Sequence, residues 1–216
     1  VTIMGPRQVG KSTLADAIIP KDAKVLEING DSTDVQTMFV NVDEAKMKVL
    51  IGNKNFLFVD EAQKIENVGN MLKIVAEKFK DVKIIVTGSS AFKLAEAVNE
   101  SLTGRKREFR LYPLSFKEMA DETSTLEESR MIDHRLIYGY YPEVVTSPGD
   151  EKEVLKELID SYLYKDVMEE NNIAKPDKLV KLVQALAFQI GSTVSANELA
   201  GLVGIDAKTV ERYIEI

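Results

Sequence analysis

The sequence contains no cysteine and has a single histidine, His134. Without cysteine the chain has no disulfide, no thiolate metal ligand and no thiol nucleophile. His134 stands apart from any spacing that is typical of a metal site, so we assign it a surface or helix-packing role. These absences exclude thiol chemistry and give no support to a histidine-based metal centre.

Long apolar runs are also lacking. No stretch approaches the ~18–20 apolar residues of a membrane-spanning helix, and no charged segment followed by an apolar one opens the chain. We therefore expect no membrane partner. The hydrophobic share of 44% is ordinary, and 216 residues can bury one good core plus a smaller appendage. The chain begins inside an apparent strand and stops inside an apparent helix, so we expect the natural protein to be longer.

Positive charge is scarce in the second half of the chain. Residues 1–120 hold 18 Lys and Arg against 16 Asp and Glu, a net charge of +2. Residues 121–216 hold 10 against 19, a net charge of −9. An acidic surface repels the phosphate backbone of nucleic acids at long range, so DNA is a possible partner that we do not favour.

The chain opens with a phosphate-binding pattern. Val1 to Met4 has β character and runs into GPRQVGKS, which matches G-x-x-x-x-G-K-[ST] between a strand and a helix. Backbone N–H groups of such a turn converge on phosphate oxygens, and the following helix adds its N-terminal N–H groups. Lys11 would reach the β- and γ-phosphates and the Ser12 hydroxyl would ligate Mg²⁺. The predicted nucleotide-binding residues are Gly5, Pro6, Arg7, Gln8, Val9, Gly10, Lys11, Ser12 and Thr13.

Two carboxylates, Asp60 and Glu61, follow an apolar strand at Asn55 to Asp60. Mg²⁺ prefers oxygen ligands, so Asp60 is a candidate metal ligand together with Ser12. Glu61 is a candidate catalytic residue that orients or deprotonates a water attacking the γ-phosphate. The pair fits hydrolysis better than transfer to a second substrate. The alternative is that both residues merely cap the next helix.

Two further residues are catalytic candidates, Ser89 and Arg105. Ser89 lies in the Gly-Ser-Ser sequence that directly follows the predicted strand Val82 to Thr87. A hydroxyl at this place could contact the γ-phosphate or the attacking water. An ordinary turn is the equal alternative. Arg105 precedes the predicted strand Arg107 to Tyr112, and an arginine at the γ-phosphate stabilises transition-state charge. For Arg107 and Arg110 we prefer surface solvation.

Strands alternate with helices along residues 1–118, which is typical of a parallel sheet with helices on both faces. Ligands of such sheets bind outside the carboxyl ends of the strands. Three polar clusters, Gly5 to Ser12, Asp60-Glu61 and Thr87 to Ser90, each lie at the end of a predicted strand. The predicted elements are strands at 1–4, 24–29, 55–60, 82–87 and 107–112, and helices at 11–19, 35–40, 45–51, 69–79 and 91–102.

From residue 115 the pattern is helical, with predicted helices at 116–119, 127–138, 151–170 and 177–190. The end of the chain, from Ser195 to Leu202 and from Asp206 to Ile216, has helix-turn-helix spacing, with Asp206 as the N-cap. We divide the chain into a P-loop ATPase core (1–118), a helical lid or linker (119–176) and a helix-turn-helix start of a C-terminal domain (177–216). The second helix of the last segment is more acidic than basic, which favours packing or partner binding over DNA contact.

A set of motifs in order matches a known family. They are GPRQVGKSTL, LFVDEAQKI, IIVTGSSAFKL, SLTGRKREFRLYPLSFKEM, YGYYPEVV, YLYKDV and a closing NELAGLVGIDAKTVERYIEI. The chain resembles the prokaryotic AAA-like ATPases that join a P-loop domain to a C-terminal domain of unknown function with a winged-helix-like start. The GR…PLSF and PEV motifs make the match specific. Gly139-Tyr140 stands where a Gly-Gly pair is frequent in the family.

The resemblance implies a five-stranded parallel sheet of order 5-1-4-3-2 with a catalytic glutamate. It also implies ATP and Mg²⁺ as ligands, with the family's roles carried to Lys11, Ser12, Asp60 and Glu61. Gly104-Arg105 is a characteristic pair of the family.

Two functions follow as expectations. The first is Mg²⁺-dependent ATP hydrolysis that drives a conformational switch. The alternative is a regulatory or DNA-associated module that holds ATP with little or no hydrolysis. An ATP site indicates the cytoplasm. A protein client remains unnamed, and an oligomer is compatible with either function.

Overall fold

The computed structural model describes residues 1–89, 107–161 and 176–214. The chain divides into two compact units, Val1–Pro148 and Gly149–Ile216. No helix in the described ranges is long and apolar enough to cross a membrane. The three-part division at residues 118 and 176 stays a prediction. The predicted helix at 91–102, Arg105 and the stretch 162–170 lie outside the described residues.

The first unit contains a five-stranded parallel sheet. Its strands are β1 (Thr2–Met4), β2 (Val25–Asn29), β3 (Phe56–Asp60), β4 (Lys83–Gly88) and β5 (Glu108–Arg110). Their order across the sheet is β2-β3-β4-β1-β5, so the expected order 5-1-4-3-2 is confirmed. All four pairings are parallel, with Met4 opposite Gly88 and Asn29 opposite Asp60. The carboxyl ends of the strands therefore meet at one edge.

Both faces of this sheet are covered. Successive side chains of a strand point to opposite faces, so the apolar run of β3 serves two cores. Phe56 and Phe58 join Ile3, Ile85 and Ala15 on one face. Leu57 and Val59 pack on the other face with a larger set of buried residues, among them Phe39, Met47, Ile51, Met71, Leu72 and Val75. The predicted α/β class with helices on both faces is confirmed.

The helices of the first unit are α1 (Lys11–Ile18), α2 (Thr33–Phe39), α3 (Glu44–Ile51), α4 (Val68–Lys78), α5 (Phe116–Glu122), α6 (Thr125–Arg130), α7 (Ile132–Tyr138) and α8 (Pro142–Thr146). A short 3₁₀ helix, Ala62–Lys64, follows β3. The side chains of Ser115 and Ser124 cap α5 and α6. Short polar side chains at these positions accept hydrogen bonds from the otherwise unpaired N–H groups of a helix's first turn, which explains where the two helices begin.

The expectation of one helix over 127–138 is wrong. The structure has two helices, α6 and α7, with Met131 between them. The Met131 amide donates to the carbonyl of Glu128, three residues back, instead of continuing the α-helical pattern. The Glu128 side chain is 2% exposed and accepts hydrogen bonds from Arg135 at 3.0 Å and Tyr140 at 2.9 Å. A buried carboxylate needs such partners, so we attribute the break to the contact that holds α7 against α6.

The second unit has α9 (Glu151–Ile159), α10 (Pro176–Ala187), α11 (Ala196–Val203) and α12 (Ala207–Ile214). Helices α10 to α12 share an apolar core of Leu179, Leu182, Leu199, Val203, Val210 and Tyr213. Gly204 ends α11 with φ 72°, the left-handed conformation that glycine adopts at low cost. The Asp206 side chain accepts a hydrogen bond from the Thr209 amide at 2.9 Å and so caps the start of α12. Helix α11, the turn at Gly204 and α12 together form a helix–turn–helix.

Two elements, β5 and α10, are shorter than predicted and end earlier. The strand expected over 107–112 is only Glu108–Arg110, and the helix expected over 177–190 ends at Ala187. Pro113 follows β5 closely and cannot donate to a strand ladder. Phe188 and Ile190 beyond α10 are exposed, so no burial favours continuing the helix there.

Candidate functional site

The loop that carries the predicted phosphate-binding pattern, Gly5 to Gly10, is called the phosphate loop and lies between β1 and α1. A Cβ on Gly5 would collide with the carbonyl oxygen of Leu111, because β1 and β5 run side by side there. Gly10 caps α1 at φ 93°, and Gln8 also has a positive φ of 58°. Left-handed conformations of non-glycine residues cost free energy and concentrate at functional sites. The loop thus has the strained, open backbone that a phosphate cradle requires.

Lys11 is the buried cation of the site, with an exposed fraction of 5%. Its Nζ donates to the Pro6 carbonyl at 2.8 Å and lies 3.7 Å from Glu61 Oε1. Burial lowers the pKa of Lys11, and the carboxylates of Glu61 and Asp60 oppose that shift. A charge held in low dielectric next to a helix N-terminus is well suited to bind an anion.

Ser12 and Asp60 come together across the sheet edge. Ser12 Oγ donates to Asp60 Oδ2 at 2.8 Å. The other carboxylate oxygen, Oδ1, accepts a hydrogen bond from Thr87, whose side chain is fully buried in β4. Thr87 therefore fixes the orientation of Asp60 and leaves Oδ2 toward Ser12.

Glu61 is held on the same edge by an unusual backbone and by side chains from two elements. Its φ and ψ are 47° and 46°, in the left-handed region. Its Oε2 accepts hydrogen bonds from Gln63 Nε2 at 2.6 Å and from Ser89 Oγ at 3.2 Å. Gln63 Nε2 also donates to Ser89 Oγ at 2.9 Å. The three side chains form a closed hydrogen-bonded triangle between β3 and β4.

The residues fit a nucleotide phosphate and Mg²⁺. A Cβ built on Gly10 meets nothing within 4 Å, so the approach to the N-terminus of α1 is open at that point. No side chain caps that N-terminus within the described residues, which leaves its N–H groups for a ligand. Ser12 Oγ and Asp60 Oδ2 lie 2.8 Å apart in a hydrogen bond, and these two atoms would hold the cation. Both are oxygen donors of the kind Mg²⁺ prefers.

The structure brings together Lys11, Ser12, Asp60, Glu61 and Ser89, five of the predicted site residues. Thr13 is exposed on the first turn of α1, and the Val9 side chain is buried beside Gly5. Arg105 lies outside the described residues. Arg107 and Arg110 are exposed, as preferred for them, and the His134 ring lies 4.7 Å from the Tyr138 ring, a packing contact.

Sequence reasoning gave no role to Gln63 and Thr87, although both contact the acidic pair. Gln63 follows Glu61 by two residues, and Thr87 is the last residue of the predicted fourth strand. Two signals were available in the sequence: Gln63 lies in the DEAQ sequence with the acidic pair, and Thr87 lies at the end of a predicted strand.

Two curated relatives match the chain. An uncharacterized protein, MJ1544, from Methanocaldococcus jannaschii is 27% identical over 99% of the chain and 53% of its own length. An uncharacterized protein from Haemophilus influenzae is 26% identical over 76% of the chain and 43% of its own length. The chain spans about half the length of these relatives.

A solved structure is also similar, the Aeropyrum pernix ORC1 protein in complex with DNA. The likeness covers 100% of the chain and 76% of that protein at 10% identity and a TM-score of 0.44. Among family models, residues 129–216 match a domain of unknown function (DUF8612), which agrees with the expected C-terminal neighbour. Residues 1–120, which contain the whole site described above, match the AAA domain. The chain belongs to the AAA domain family.

Proposed function

We propose that this protein binds ATP with Mg²⁺ and hydrolyses the γ-phosphate, using the reaction to switch conformation. One observation carries the proposal: a buried lysine, a hydroxyl–carboxylate pair and a second anchored carboxylate meet at the end of the phosphate loop. Lys11 lies 3.7 Å from Glu61, and Ser12 lies 2.8 Å from Asp60. Phosphoryl transfer to water requires a cation for the phosphate oxygens, oxygen ligands for Mg²⁺ and a group that positions the water, and these residues are of the matching types.

Each group has one role in the proposal. The α1 N-terminal N–H groups and Lys11 bind and orient phosphate oxygens, while Ser12 and Asp60 hold the cation. When bound, ATP·Mg²⁺ supplies the phosphoryl group, and the metal neutralises charge on its oxygens. Glu61 orients the attacking water and accepts its proton. Ser89 contributes a hydroxyl at the same edge. We assign Arg105 the stabilisation of transition-state charge.

The alternative, a module that holds ATP and rarely cleaves it, differs only in the use of Glu61. A DNA-associated role is not favoured, because the exposed charges of α12 include Lys208, Glu211 and Arg212, which are of mixed sign. For the whole protein, a protein client and an oligomer are further proposals.

Phosphate release from ATP tests the function. We expect release by the wild-type protein with Mg²⁺ and none in excess chelator. Asp60→Asn keeps the shape of the side chain but removes its negative charge and one of its two oxygens, so the variant should need a higher Mg²⁺ concentration for the same rate. Asp43→Asn, at the N-cap of α3 outside the site, is the matched control and should keep the wild-type Mg²⁺ dependence. Phosphate release that is the same with and without Mg²⁺ would overturn the assignment of Ser12 and Asp60.

A further inference from the structure

Gln63 makes the shortest described hydrogen bond to Glu61. Its Nε2 lies 2.6 Å from Glu61 Oε2 and 2.9 Å from Ser89 Oγ. The amide nitrogen of Gln63 is the donor in both bonds, and the Glu61 carboxylate oxygen and the Ser89 hydroxyl oxygen accept. The oxygen of the same amide, Oε1, is buried and has no hydrogen-bond partner among the described residues. The amide is held through its donors alone.

The two oxygens of Glu61 have different surroundings. Oε2 accepts from both Gln63 and Ser89, whereas Oε1 lies 3.7 Å from Lys11 Nζ, on the side of the phosphate loop. A donor pair on Oε2 fixes the rotation of the carboxylate, and this rotation turns Oε1 toward the phosphate end of the site. A general base must lie within hydrogen-bond reach of the water whose proton it takes, so this rotation matters for catalysis.

The backbone alone does not determine this orientation. Glu61 is in the left-handed region, and the chain turns there from β3 into the 3₁₀ helix that carries Gln63. Such a conformation persists where the surroundings over-determine it. Gln63 supplies one such constraint from within the same turn, and Ser89 supplies another from the end of β4.

We propose that Gln63 is a positioning residue that anchors Oε2 of Glu61, so that Oε1 is presented to the attacking water. This inference rests on the proposed hydrolysis for its catalytic consequence, but the anchoring itself is a property of the protein without nucleotide. Gln63 acts through Glu61 and contributes little to the binding of ATP. It therefore affects kcat and leaves KM almost unchanged.

Two variants separate the hydrogen bond from the shape of the side chain. Gln63→Met keeps the length and removes the donor, and we expect kcat to fall about 10- to 100-fold with KM nearly constant. Gln63→His restores an N–H donor of similar reach, and we expect it to recover most of the lost turnover. Gln36→Met is the matched control, since Gln36 is also half-buried and donates one hydrogen bond, at 2.7 Å to the Gly30 carbonyl. It should keep the wild-type kcat.

A measurement without nucleotide tests the anchoring. The melting temperatures of Glu61→Ala, Gln63→Met and the double variant, each compared with the wild type, form a double-mutant cycle. We expect the melting temperature of the double variant to fall by less than the sum of the falls in the two single variants. Additive losses would overturn the anchoring, whatever the turnover. Wild-type kcat in Gln63→Met, or an equal loss in Gln63→His and Gln63→Met, would overturn the positioning role. A wild-type protein that binds ATP without cleaving it would refute the proposed hydrolysis, and the cycle would then decide the anchoring alone.

Discussion

The two units of the chain differ in the polar side chains that they bury. In the first unit Lys11, Thr87 and Glu128 are buried, and each has hydrogen-bond partners inside the unit. Among the described residues of the second unit, every buried side chain is hydrophobic apart from the Tyr213 hydroxyl. Burying a polar group costs free energy unless it is paired, and the three groups named here are paired. Within the described ranges, the buried charged side chains therefore belong to the first unit, which also contains the candidate site.

Backbone strain follows the same division. In the parts of the chain that the structure describes, Gln8, Glu61 and Asn67 are the non-glycine residues with positive φ, and all belong to the first unit. Gln8 lies in the phosphate loop and Glu61 at its opposite wall. Positive φ in the second unit occurs at glycines such as Gly191 and Gly204, where it costs little. The first unit therefore carries strain of the order of 1–3 kcal/mol at each of two site residues.

The largest effect that separates the units is expected from Glu61→Gln. Glutamine keeps the shape of the side chain and cannot take a proton from water, so turnover should fall by about 10²–10⁴. ATP affinity should remain close to that of the wild type. Single-turnover phosphate release and equilibrium ATP binding measure the two quantities on one preparation.

Glu66→Gln, an exposed substitution of the same kind outside the site, is the matched control. It should leave both quantities unchanged. Equal hydrolysis by Glu61→Gln and the wild type would favour the alternative in which the protein only holds ATP.

The second expected effect is on stability. Leu199 is fully buried in the core shared by α10, α11 and α12. Leu199→Ala removes apolar contacts and leaves a cavity, so the free energy of unfolding should fall by about 2–5 kcal/mol. ATP affinity should not change, because no residue of this core belongs to the site. Denaturant unfolding, with Leu202→Ala as the exposed control, measures the loss, and weaker ATP binding by Leu199→Ala would break the division between the units.

The third effect concerns pH. Burial lowers the pKa of Lys11 in the free protein, whereas bound phosphates favour its charged form. As pH rises through the lowered pKa, the free protein loses this proton and gains stability, because the buried charge is removed. ATP affinity should fall over the same pH range, by up to about tenfold per pH unit. Titrations of ATP at several pH values should show this slope in the wild type and not in Lys11→Ala, and parallel curves would show that Lys11 does not carry it.

The smallest effect is expected for DNA. The exposed charges of α12 include Lys208, Glu211 and Arg212, and the guanidinium of Arg212 lies over the Tyr213 ring at 5.5 Å. We expect no sequence-specific band shift at near-physiological salt, and no difference between Arg212→Ala and the wild type. A shift in the wild type that disappears in Arg212→Ala would assign a second ligand to the second unit.

The sequence predicts the phosphate loop and the ends of β3 and β4 because these features depend on local spacing and on the shared edge of parallel strands. The family resemblance supplies the strand order, which spacing alone leaves open. The contacts of Thr87 with Asp60 and of Gln63 with Ser89 could not be predicted, because they depend on the register between strands distant in sequence. The Gln63–Glu61 contact is local, but it depends on the left-handed backbone of Glu61, which the sequence pattern does not predict. The break at Met131 was missed for a similar reason: it depends on a buried contact of Glu128 with Arg135 and Tyr140.

Calorimetric titration of the protein with ATP and Mg²⁺ tests the central assignment most directly. Lys11 is the buried cation next to the phosphate loop. Lys11→Ala removes a charge-assisted contact worth about 1.5–3 kcal/mol. We therefore expect its affinity for ATP to be roughly 10- to 100-fold lower than that of the wild type. Lys73→Ala, on the exposed face of α4, is the matched control and should bind as the wild type does. Affinity of Lys11→Ala equal to that of the wild type would contradict the account.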